Sequence, residues 1–256
     1  MIYLSKGGFI ISSYKGHTIF AFVLSLIIFQ NPFAVILSLI GANLPDFDHN
    51  VRRLYVILIF LVGALISIVL YHFNLPSYLG IVISALSVIF LFSSHRGFTH
   101  SFLGIIVQSL ILGLILYFAT NLLISFNLFE SIHFVSSKLL IVSLVLLFMS
   151  ILFLNKNFLS IVLLLIIFLL WKFHNFEFTF FDCIFPIFLG LLSHMILDSF
   201  TPSGVKPFIP FSDKKVYKKF GIVMIILIIL VFLCVYYHDF LYLKLSGLNN
   251  LFIQNF

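Results

Sequence analysis

Charge is what this chain has least of. Asp, Glu, Lys and Arg make up 9% of its 256 residues, whereas a soluble domain carries about a quarter. A polar surface cannot be built from that supply, which excludes a water-soluble globular domain. Cysteine is nearly missing too: Cys183 and Cys234 lie in separate apolar stretches, far from any metal-type spacing. No thiolate metal site is indicated; both residues read as packing side chains and say little about redox compartment. Internal repeats are absent. Basic residues outnumber acidic ones, for a net charge of +6, but they are dispersed among short loops. That excludes a nucleic-acid surface and makes them topology determinants.

What is abundant is hydrophobic side chain, at 62% of residues, with 35 phenylalanines. Several apolar runs are long enough to cross a hydrocarbon core, which takes about 20 helical residues. Backbone amides in lipid must be satisfied within their own segment, so those runs are helices. The expected fold is an all-α integral membrane protein forming one polytopic domain over 1–256. About seven transmembrane helices are expected, near 54–72, 78–94, 101–124, 139–154, 157–173, 183–199 and 220–243. A cleavable signal peptide over 18–42 is the weaker reading, because the small-residue pattern at "IGA" is poor.

Residues 18–44 decide the topology. A single helix there would hold His17 and Asp46 about 44 Å apart, at 1.5 Å per residue. Asn31-Pro32 interrupts the stretch, and proline disfavours continuing the preceding helix. Half-helices over 17–30 and 33–44 would instead form an N-terminal re-entrant hairpin; a Pro-kinked span is the alternative. The basic residues favour the hairpin. With it, eleven of them, including Arg52, Arg53 and Arg96, share one face, against Lys138, Lys172 and Lys244 on the other. The crowded face should be cytoplasmic. The expected location is thus a multi-pass protein of the cell inner membrane, its N-terminus facing the cytoplasm.

Four polar patches reach that same face. They hold His17; Asp46, Asp48 and His49; His95, Arg96, Thr99 and His100; and His194, Asp198, Thr201 and Gly204. His194 and Asp198 are four apart, so they project from one side of a helix, and Thr201 would follow if the helix continued. Gly97 lets the chain turn between two spans. Histidine and aspartate at membrane depth are costly unless paired or ligated, which makes them functional candidates. The other histidines, His72, His133, His174 and His238, read as interfacial hydrogen-bonding residues.

Imidazole and carboxylate without thiolate suit Zn, Mn or Fe better than Mg alone. His17, Asp46, Asp48, His49, His95, His100, His194 and Asp198 exceed the ligands of one tetrahedral ion. That surplus fits either two ions or one ion with supporting partners. Arg96 suits an anionic substrate oxygen, since guanidinium matches phosphate geometry. Thr99 and Thr201 are the candidate hydrogen-bonding residues beside it. The loop "VKPFIPFSDKKVYKK" reads as solvated charge, with a lipid-headgroup clamp as the alternative.

On the segments "GHT", "GANLPDFDH", "HRGFTHS" and "HMILDSFTPSGVKPFIPFS", the chain resembles the LexA-regulated inner-membrane metal-dependent hydrolases of bacteria and archaea. The resemblance runs from about 15 to 215, and "HRGFTHS" followed by His194, Asp198, Thr201 and Gly204 is its most specific part. It implies metal-site roles for the eight His and Asp residues above, with Arg96 and Thr99 beside the ions. The expected function is a membrane-embedded metal-dependent hydrolase. Position at the bilayer edge points to a phosphoester or ester of a membrane lipid as substrate. Two alternatives use the same ligands: a divalent-metal transporter or sensor, and a non-catalytic scaffold with a structural metal.

Overall fold

A computed structural model describes residues 14–48, 52–94, 96–127, 129, 136–173 and 177–253, with side chains described up to residue 237. Among the described residues the chain is all-helical, with nine α-helices: α1 (Tyr14–Phe29), α2 (Pro32–Asn43), α3 (Arg53–His72), α4 (Tyr78–Phe92), α5 (Phe102–Ser125), α6 (Ser137–Phe153), α7 (Lys156–Lys172), α8 (Phe180–Ser199) and α9 (Lys218–Ile253). Four are long and apolar enough to cross a membrane: α3, α5, α8 and the Lys218–Tyr237 part of α9. The stretches expected to span near 78–94, 139–154 and 157–173 fold as helices of 15, 17 and 17 residues.

The break at Asn31-Pro32 has a local cause. Gln30 takes a left-handed backbone (φ 48°). The Asn31 side chain then caps α2, accepting from the Phe33 N–H at 3.0 Å. Pro32 fills the first turn, where its missing N–H costs no hydrogen bond. The chain reverses here: Thr18 in the first turn of α1 donates to the Asn43 side chain at the end of α2, over 3.0 Å.

α2 is the centre of the molecule, with all twelve residues buried. It packs against α1, α6, α7 and α8. Its contact with α8 is a close helix crossing, and glycine permits it from both sides. A Cβ on Gly190 would lie 2.1 Å from the Ser38 carbonyl oxygen, and one on Gly41 would lie 2.5 Å from that of Ile187. Small residues at a crossing are the usual device where lipid removes any hydrophobic drive between helices. α3 and α4 form an antiparallel pair on one side, in contact with α5 and with the Pro45–Asp48 turn.

α8 starts with a capping box between Thr179 and Asp182 and ends at Ser199, so Thr201 lies in the following loop, not on the helix. That loop is tied by an isolated antiparallel bridge between Val205 and Val216. Its Pro207 carbonyl accepts from the Phe102 N–H at the start of α5, at 2.9 Å. Cys183 is buried in α8; Cys234 is exposed on α9, so packing does not account for it.

Candidate metal centre

Four of the described helices and turns bring polar side chains to one end of the bundle. His17 comes from the first turn of α1. Asp46 and Asp48 come from a 3-10 turn (Pro45–Asp48) that follows α2. Arg96 and Thr99 lie in the connection before α5, with His100 closing its 3-10 turn. His194 and Asp198 lie in the last two turns of α8. His17, Asp48, His100, His194 and Asp198 are all buried.

The Asp198 carboxylate is the hub. Nε2 of His100 lies 3.4 Å from it, Nε2 of His17 3.5 Å and Nε2 of His194 3.6 Å. These separations are longer than a hydrogen bond, which peaks near 2.9 Å. Each is close to the edge of a tetrahedron, about 3.4 Å, whose centre would be a metal ion with bonds of about 2.1 Å. Ligand atoms of His17, His194 and Asp198 all lie within 4.8 Å of one another, a buried group able to hold an ion. The His17 and His194 rings stack at 3.9 Å, and His100 meets His194 edge-on at 5.0 Å.

Proton accounting supports the same fit. His194 Nδ1 donates to the Ala42 carbonyl at 2.7 Å, so its Nε2 carries a lone pair when the ring is neutral. The Thr99 hydroxyl donates its one proton to Asp48. Its oxygen is then free to accept from His100 Nδ1, 3.0 Å away, which leaves a lone pair on His100 Nε2 as well. With both rings neutral, two lone pairs face one carboxylate, a repulsion that a cation between them would relieve. Backbone and hydroxyl partners of this kind fix the tautomer of ligating histidines elsewhere. His17 Nδ1 is buried without a hydrogen-bond partner among the described residues, a cost that ligation at the ring would offset.

Around this hub lie Asp46, Asp48, Arg96 and Thr201. Asp46 Oδ1 is 3.8 Å from His194 Nε2, and its side chain is partly exposed. Asp48 Oδ2 is 3.4 Å from His100 Nδ1. Arg96 Nη2 lies 3.5 Å from Asp198, while its Nη1 donates to the Thr201 hydroxyl at 2.7 Å. Thr201 in turn donates to the Asp198 carbonyl at 2.7 Å.

The turn differs from expectation in one respect: Arg96, not Gly97, takes the left-handed conformation, with φ 61°. Gly97 is needed because Ser94 closes over it, its hydroxyl 2.5 Å and its carbonyl 2.7 Å from where a Cβ would sit. A non-glycine residue at positive φ stores strain, typically about 1–3 kcal/mol, and the Arg96 contacts hold it there. His49 and His95 lie outside the described residues.

The chain matches the family model of the YdjM inner membrane protein over residues 13–155 and 157–252. It belongs to the YdjM inner membrane protein family. No curated protein and no solved structure matches it. Family and apolar helices together make this a membrane protein.

Two parts of this YdjM-family site escaped sequence reasoning. Gln108 on α5 is fully buried, and its Nε2 donates to the Thr99 carbonyl at 2.8 Å, steadying the turn that carries Thr99 and His100. A lone glutamine inside a long apolar helix was the available signal. Asn43 and Thr18, joined at 3.0 Å, hold the His17 end of α1 to the Asp46 end of α2. Neither residue type suggests a ligand, so only the hairpin geometry exposes this role.

Proposed function

We propose that this chain is a membrane-embedded metal-dependent hydrolase. Its site faces the cytoplasm and acts on a phosphoester or ester bond of a lipid. The observation that carries the reading is the convergence of three imidazole nitrogens on Asp198 at tetrahedron-edge spacing. Zn, Mn or Fe suits that donor set better than Mg alone. A divalent ion held there supplies Lewis acidity and activates water at neutral pH.

In this reading His17, His194 and Asp198 are ligands, with His100, Asp46 and Asp48 supplying further ligands or a second ion's share. Thr99 orients Asp48 and His100. Thr201 orients Arg96, whose guanidinium receives an anionic oxygen of the substrate. The motif resemblance to LexA-regulated membrane hydrolases supports the same assignment, with His49 and His95 as further metal-site candidates. α1 and α2 are then a re-entrant hairpin within a bundle of about seven spans, and the excess of basic loops on the site's side supports a cytoplasmic orientation. The buried histidines and carboxylates among the described residues crowd one end of the bundle, which favours an enzyme over a route for ions across the bilayer.

The test is hydrolysis by detergent-purified protein, supplied with Zn, Mn or Fe, on phospholipids and on generic phosphoesters. Turnover should vanish in His194→Ala and in Asp48→Ala. Hydrolysis that survives both changes contradicts the catalytic assignment, and metal uptake into proteoliposomes without hydrolysis replaces it with transport.

A further inference from the structure

α3 packs on α4, α4 on α5 and α5 on α6, and between α3 and α6 this arrangement leaves a cavity of about 740 Å³. Its walls carry apolar side chains throughout, among them Val62, Ile66, Leu86, Ala119, Leu123 and Phe148. Several rim residues are exposed, Val62 and Phe148 included, so the cavity opens sideways toward the surrounding lipid. From Tyr55 to Ile66 the groove follows α3 for about 16 Å, at 1.5 Å per residue. The volume lies within the range of about 300–1,000 Å³ typical of small-molecule sites.

At the Tyr55 end the groove approaches the turn of Asp46 and Asp48, the Tyr55 ring lying 5.7 Å from that of Phe47. Tyr55 bridges α3 to α6 there, donating to the Leu152 carbonyl at 3.4 Å. Tyr55, Leu152 and Phe153 also line a second cavity, with Tyr14 and Arg52 on its other walls. The Arg52 guanidinium lies 4.7 Å from the centre of the Phe47 ring and 5.5 Å from that of Tyr14. Tyr14 is one helical turn from His17. On the other side of Phe47 a third cavity is lined by Asp48, Arg53, Ser93 and Ser94. The apolar slot is therefore continued by the cavity of Arg52, and beyond Phe47 lies the cavity that Arg53 shares with Asp48.

We propose that the groove between α3 and α6 holds an acyl chain of an anionic phospholipid, whose phosphate sits against Arg52. Lipid chain chemistry fits walls of this kind, and positive charge at the groove's end selects an anionic headgroup. Phe47 packs on Tyr55, Phe90 and Phe153 and lines both the Arg52 cavity and the Asp48 cavity, so its ring sets how far the headgroup reaches toward Asp48. The binding claim stands on the groove itself; only the step from bound lipid to substrate rests on the hydrolase reading.

The test uses full-length protein in phosphatidylcholine nanodiscs doped with phosphatidylglycerol that carries a diazirine midway along one acyl chain. After irradiation, label should concentrate on groove residues of α3, α5 and α6 and be sparse on the lipid-facing residues of α9. Arg52→Gln should lower the yield about fivefold, and Ala119→Trp should remove the groove label while the metal content reports an intact fold. Label spread evenly over groove and α9 overturns the proposal, as does equal labelling by a phosphatidylcholine probe. Groove label in a protein without hydrolytic activity keeps the lipid site and overturns the hydrolase reading alone. Hydrolysis with evenly spread label does the reverse.

Discussion

α8 and α9 look alike as sequence, each a long apolar segment able to span a bilayer, yet they occupy opposite environments. Of the most apolar 18-residue window, 61% is buried in α8 and 6% in α9. α8 carries Gly190, His194 and Asp198 on buried faces, whereas the exposed side chains of α9 include Ile226, Leu227 and Leu230. In lipid the ordinary hydrophobic criterion for burial fails, because the solvent is as apolar as leucine. Interior helices are marked by what they lose to polar and small residues. Lipid-facing ones are marked by uniform hydrocarbon.

That contrast is broken most severely by removing the hub. Asp198→Ala should weaken metal retention by about 100-fold or more, measured as metal per protein after dialysis against a chelator. If α8 were merely a membrane anchor, the change would leave metal content untouched. Next in size is Gly190→Leu, which forces a side chain into the Ser38 carbonyl. It should destabilise the bundle by about 3 kcal/mol, seen as a lower thermal unfolding midpoint in detergent; an unchanged midpoint would mean that α2 and α8 do not cross at that glycine.

Smaller is Gln108→Leu, which deletes the donor holding the Thr99 carbonyl. A loss of about 1–3 kcal/mol and a weaker metal affinity are expected together. Metal affinity that stays constant while stability falls would limit Gln108 to packing. Smallest is Ile226→Ala on α9, where a shift within about 0.5 kcal/mol is expected. A larger loss there would show that α9 packs against protein.

How much of this could be read from the chain alone depends on which residues spoke locally. The reversal at Asn31-Pro32 was legible, because a cap and a proline act within three residues. The grouping of His17, Asp46, Asp48, His100, His194 and Asp198 was legible because ionisable residues in so apolar a chain have few places to go. The complete burial of α2 was not legible. "PFAVILSLIGAN" reads as well for a lipid-facing helix, and only Gly41 meeting α8 reveals that it is enclosed.

The left-handed Arg96 was hidden for a similar reason: the neighbouring glycine seemed the natural turn residue, while Ser94 closing over Gly97 is a matter of three-dimensional packing. The number of spans was harder still. α4, α6 and α7 are 15 to 17 residues long, near the lower limit of about 17 for crossing a bilayer, and hydropathy alone does not fix where such helices end.

The most direct measurement is elemental analysis of the purified wild-type protein beside His17→Ala and His194→Ala. One or two divalent ions per chain in the wild type, and loss from both variants, is the result expected of donors from α1 and α8 closing on a common ion. Metal-free wild-type protein, or full occupancy in the variant lacking His17, would contradict it.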